Sequence, residues 1–109
     1  YNDVVDALAG AARSVTLGDP LDASTRMGAL INARHRDRVA SLIQSGIAEG
    51  ATRVAGGEAL PDEGFFVRPT VFANGTPDMR IMREEIFGPV GVIAPFDDDD
   101  EAIRIANDT

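Results

Sequence analysis

REEIFGPVGVI, residues 83–93, sets two adjacent carboxylates, Glu84 and Glu85, against a short apolar pair and a Gly-Pro corner, then passes directly into a strand-like run. The apolar run VGVIAPF, residues 90–96, is bounded by Pro89 and Pro95 and has the length of a buried strand. The acids that follow open a helix, with Asp98 or Asp99 near its N-cap and Ala102, Ile103 and Ala106 on its apolar face.

Upstream, the same alternation repeats. Val4, Leu8, Ala11, Ala12 and Val15 fall at helical spacing, which predicts a helix over residues 3–15 capped by Asn2 or Asp3. Residues 17–32 carry Gly18, Pro20, Asp22, Ser24 and Gly28 without a sustained period and read as a defined loop held down by a neighbour. From Ala33 a second helix places Val39, Leu42, Ile43 and Ile47 on one stripe and stops at Gly50. TRVAGG, residues 52–57, reads as a short strand, and EALPDEG, residues 58–64, as a polar turn. FFVRPTVFA, residues 65–73, is strand-like, with Pro69 splitting it or setting it on an edge. NGTPDM, residues 74–79, feeds a short helical piece near residues 79–82. Helices alternating with strands predict an α/β fold with parallel pairing.

The bulk composition narrows the chemistry. A chain of 109 residues fits one domain and could bury roughly 65% of its unfolded surface. It is 44% hydrophobic, as a globular piece should be. Eighteen acids against ten cations give a formal net charge of -8, which repels phosphate backbones and anionic headgroups, so neither nucleic acid nor membrane is an expected partner. All ten cations are Arg, which excludes a Schiff-base or phosphate-loop lysine within the chain. The absence of Cys excludes thiol catalysis and thiolate metal sites here and is compatible with a reducing compartment. No apolar stretch approaches the roughly 20 residues of a membrane span. Without an initiator Met, and with both ends cutting through patterned sequence, the chain is expected to be a segment of a longer polypeptide.

Most candidate sites read as ordinary surface. His35, in ARHRDR, is a lone histidine among arginines at the start of a solvated helix, with no second His to complete a metal site. The acids at 97–100 lack the Gly and the bidentate Glu of a calcium loop and are explained by the helix dipole. Gly56-Gly57 lacks a phosphate-loop fingerprint. Ser14, Ser24, Ser41 and Ser45 have no paired base in sequence.

EEIFGPVGVI is different: it resembles the signature of the aldehyde dehydrogenase superfamily, in which a Glu and a Phe before Gly-Pro-Val line the nicotinamide end of the NAD(P) site. GDPLDASTRMGALIN, GFFVRPTVF and EAIRIANDT resemble further blocks of that family in the same order, so the likeness covers nearly the whole chain. Ala29 departs from it, standing where the Pro of a Gly-Pro pair is usual. The resemblance implies that residues 1–109 are part of a catalytic domain, with short strands of a mostly parallel sheet. It also implies that Glu85 holds the nicotinamide ribose through its two acceptor oxygens, and that Phe87 limits the travel of the nicotinamide by apolar contact. Gly88 and Pro89 would fix the turn that aims both, and Glu84 is read as a solvated acid.

By the same resemblance, the family's nucleophilic Cys and general-base Glu lie outside this chain, so no catalytic residue falls within it. The parent is then a cytoplasmic, homo-oligomeric enzyme, a dimer or tetramer, that uses NAD or NADP. It oxidises a small-molecule aldehyde to a carboxylic acid through a thioester on that Cys, and the segment alone is inactive. The competing expectation is a stand-alone acidic α/β module that acts by protein association through apolar faces left without sheet partners.

Overall fold

A computed structural model describes residues 1–57 and 64–108. The polar turn expected over residues 58–64 lies, apart from Gly64, outside the described residues. Four helices and three strands follow in the order α1 (Asn2–Ser14), α2 (Ala33–Ala48), β1 (Thr52–Ala55), β2 (Thr70–Ala73), α3 (Arg80–Arg83), β3 (Val90–Val92) and α4 (Asp99–Ala106). None of the described helices is long and apolar enough to cross a membrane.

The sheet has the order β1-β2-β3. β2 and β3 run parallel, with Thr70 opposite Val90 and Phe72 opposite Val92, and the chain between them passes through α3. A parallel pair needs a crossover of this kind. β1 and β2 are antiparallel, so the sheet is evenly mixed where a mostly parallel one was expected; the α/β layering itself holds.

β2 is the centre of the molecule. All four of its residues are buried because its two faces meet different partners. Phe72 turns toward α2 and α3, where it packs with Val39, Leu42, Ile43, Met79, Ile81 and Ile86. Val71 turns the other way and meets Ala55 and Ala9 of α1. Pro69 marks the start of β2, as the split predicted, but the strand is central and not an edge. The edge is β3. It is shorter than the expected buried strand and only partly covered, because β2 is its single neighbour among the described residues.

Local signals explain the helix ends. Asn32 caps α2 by accepting from the His35 N–H, and Asp98 caps α4 by accepting from the Glu101 N–H, so the acidic run begins as a cap. α1 starts one residue earlier than expected, with Tyr1 at its N-cap and no side-chain cap bond. The Tyr1 hydroxyl instead accepts from the Asn74 N–H and donates to Asn74 Oδ1, tying α1 to the end of β2. α1 buries Ala9, while Val4 and Leu8 of the expected apolar stripe stay half open. Ile103 of α4 and Ile47 of α2 are likewise exposed.

The loop at 17–32 is ordered by its own backbone. Leu17 bridges Met27, Arg26 and Met27 both donate to the Thr16 carbonyl, and Asp22 accepts from the Ser24 N–H and hydroxyl. Those two bonds lower the Asp22 pKa. Leu30 donates to the Phe65 carbonyl and packs against the core, which supplies the predicted anchor.

Candidate functional site

The segment between α3 and β3 crosses the N-terminal end of α2, and that crossing determines what each of its side chains can do. Glu84 is not a free acid. It accepts from Arg80 one helical turn earlier and lies 3.8 Å from the Arg38 guanidinium. The hydrogen bond from Arg80 lowers its pKa most; desolvation opposes it, and the charges of Arg80 and Arg38 lower it further. Glu84 is exposed, as a solvated acid should be, and it also pairs with Arg80 and Arg38. Arg80 is fixed from the other side as well, since its N–H donates to Glu49 Oε2 at 2.7 Å.

Glu85 contrasts with its neighbour. It is exposed, and among the described residues its carboxylate makes no hydrogen bond or ion pair. Its backbone, however, is held: the Glu85 carbonyl accepts from Arg38 Nη2, and the Ile86 carbonyl accepts from Arg38 Nη1, both at 2.9 Å. Immediately after the two acids, the side chain of Ile86 is buried and joins the main core. The fork thus grips two consecutive carbonyls while the Ile86 side chain roots the segment from below.

Phe87 is 73% exposed, so it is not a core side chain. Its φ of 54° lies in the left-handed region, which costs a residue with a Cβ about 1–2 kcal/mol. The surroundings must impose that conformation. His35 Nε2 lies 2.6 Å from the Phe87 carbonyl, and the two rings sit 5.7 Å apart at an interplanar angle of 34°. A carbonyl oxygen can only accept, so Nε2 carries the proton and donates. Immediately afterwards, Gly88 presses on α2: a Cβ there would meet the Val39 side chain at 2.8 and 3.0 Å.

Glu85 and Phe87, the two residues assigned from sequence, are thus presented outward on one short segment. The sequence reading missed the partners that hold them. His35, which reads as surface from sequence alone, is half-buried and bonded to a residue 52 positions away. Arg38 carried no signal at all. Both lie on one helical face at i, i+3 spacing, a regularity that becomes informative only once the facing segment is known.

Across residues 1–109 the chain matches the family model described as "Aldehyde dehydrogenase family". The chain belongs to the aldehyde dehydrogenase family. Among curated relatives of this aldehyde dehydrogenase segment, betaine aldehyde dehydrogenase of Brucella anthropi is 49% identical over 110 residues, covering 96% of the chain and 22% of the relative. Geranial dehydrogenase of Castellaniella defragrans is 48% identical over 100% of the chain and 23% of its own length. The chain therefore spans less than a quarter of the relatives it matches. Solved structures agree: an NAD+ complex of an aldehyde dehydrogenase from Bacillus cereus superposes with a TM-score of 0.93 at 48% identity, over 98% of the chain and 22% of that structure. An aldehyde dehydrogenase mutant from Pseudomonas syringae in complex with NAD+ and octanal gives 0.91 at 44% identity, over 99% of the chain and 23% of that structure.

Proposed function

We propose that this chain is the part of an NAD(P)-dependent aldehyde dehydrogenase that supplies the nicotinamide-ribose contacts, in an enzyme that oxidises an aldehyde to a carboxylic acid. The observation that carries the reading is the division of labour between adjacent acids. Glu84 is consumed by Arg80 and Arg38, whereas Glu85 offers two unengaged acceptor oxygens at the surface. Two such oxygens match the vicinal hydroxyls of a ribose. Phe87 presents an exposed ring two residues on, on a backbone that is held and not free to swing. The residues present therefore fit the sugar and nicotinamide end of the cofactor. When bound, that cofactor accepts the hydride; the chain's own work is to orient it.

The remaining groups, the thiol nucleophile and the general base, belong to the rest of the catalytic domain. The surface supports this. Val4, Leu8, Phe96 and Ile103 are all more than two-fifths exposed, and Tyr1, Val4 and Phe96 line a hollow with Ile93, Ala94 and Pro95 at the end of the edge strand. Apolar residues grouped in this way suit a segment packed against further protein. With this reading go a small-molecule aldehyde as substrate, NAD or NADP as cofactor, and a cytoplasmic homo-oligomeric parent.

The test is an aldehyde-dependent NADH-formation assay on the 109-residue chain and on the full-length protein. Activity is expected only in the full-length protein; turnover by the 109 residues alone would overturn the assignment.

A further inference from the structure

We infer that His35 and Arg38 are positioning residues for the cofactor segment: together they clamp three consecutive carbonyls, of Glu85, Ile86 and Phe87, and so fix the directions in which Glu85 and Phe87 face NAD(P). The inference rests on the proposed role of Glu85 and Phe87, but the clamp itself stands on geometry. The Arg38 fork takes the carbonyls of Glu85 and Ile86, each at 2.9 Å, and His35 Nε2 takes that of Phe87 at 2.6 Å. Val39, the next residue on the same face of α2, seats Gly88.

The clamp accounts for a conformation that the segment would not adopt by itself. A phenylalanine with a positive φ and an exposed ring gains little from packing that could hold it there. The His35 bond acts on the carbonyl of that residue, and the ring contact limits the side chain on the same side. α2 is in turn a rigid base: its cap is closed by Asn32, and Val39 and Leu42 are fully buried. The consequence is an ordered segment prepared before the cofactor arrives, so less of the binding free energy is spent on ordering it.

The test uses the full-length enzyme with two replacements at each clamp position that keep side-chain bulk and differ in donors: His35→Met against His35→Gln, and Arg38→Met against Arg38→Lys. Two measurements are made, the NAD+ dissociation constant by calorimetry and the 19F spectrum of 4-fluorophenylalanine installed at position 87, recorded without cofactor. His35→Met and Arg38→Met should each weaken NAD+ binding by about threefold to tenfold, the range of one or two lost hydrogen bonds. Both should shift or broaden the 19F resonance. His35→Gln, whose amide still donates, should restore both readouts to near wild type, and Arg38→Lys, with one point donor for two carbonyls, should fall between. Arg34→Ala, an exposed neighbour outside the clamp, should change neither.

An unchanged 19F spectrum in both Met variants would overturn the clamp. A changed spectrum with NAD+ binding within twofold of wild type would overturn the positioning role. Failure of the underlying reading is separable: in that case Glu85→Gln would leave NAD+ binding intact while the 19F changes remained.

Discussion

The Val39 side chain occupies the space that a Cβ on Gly88 would need, with its two methyl carbons 2.8 and 3.0 Å from that point. Val39 is fully buried among Leu42, Phe72 and Ile86 and cannot move aside without disturbing them. The Gly in the Gly-Pro corner is thus required by close approach to α2. Gly88→Ala should cost about 1–3 kcal/mol in a urea melt, as overpacking of a dense core does. In a Val39→Ala background the same change should cost less, because the obstructing methyls are gone. An equal cost in both backgrounds would show that the contact is not the reason for the glycine.

Phe87 gives a prediction of opposite sign. Its ring is mostly exposed and its φ is positive, so the backbone at this position favours glycine. Phe87→Gly should therefore be more stable than Phe87→Ala by about 1 kcal/mol, although glycine is normally the poorer choice. Thermal melting of the two variants decides it. A more stable Ala variant would mean that position 87 does not keep its left-handed conformation.

Protonation of Glu84 should loosen the junction of α3 with α2. Its pKa is lowered in the folded protein, so its contribution to stability is fully present above its ordinary value of 4.5 and is lost as pH falls through the still lower folded value. The melting-temperature gap between wild type and Glu84→Gln should be constant near neutrality and should close below about pH 4.5. A gap that is unchanged in acid would remove the Arg80 and Arg38 contacts from the account.

The sequence carried the helices because their signals are local. α2 starts at Ala33 and stops just before Gly50, as expected, and α4 is capped by Asp98, one of the two acids expected there. Which residues of each stripe are buried was less legible: α1 buries Ala9 and not Val4 or Leu8, because the sheet touches only one edge of the helix. Strand direction was illegible for a similar reason, since β1 against β2 depends on the chain path and not on the strand sequence. At the site, Glu85 and Phe87 stood out through the family motif. The helix turn that holds them, His35 and Arg38, lies about fifty positions away along the chain, and no local pattern reports such a contact.

The most direct test of the central claim is the NAD+ dissociation constant of the full-length enzyme with Glu85→Gln. The carboxylate is exposed and unengaged, so the melting temperature should not change, whereas NAD+ binding should weaken by about tenfold or more, as for loss of hydrogen bonds to a charged group. An NAD+ dissociation constant within a factor of two of wild type would contradict the claim that this chain supplies the ribose-binding acid.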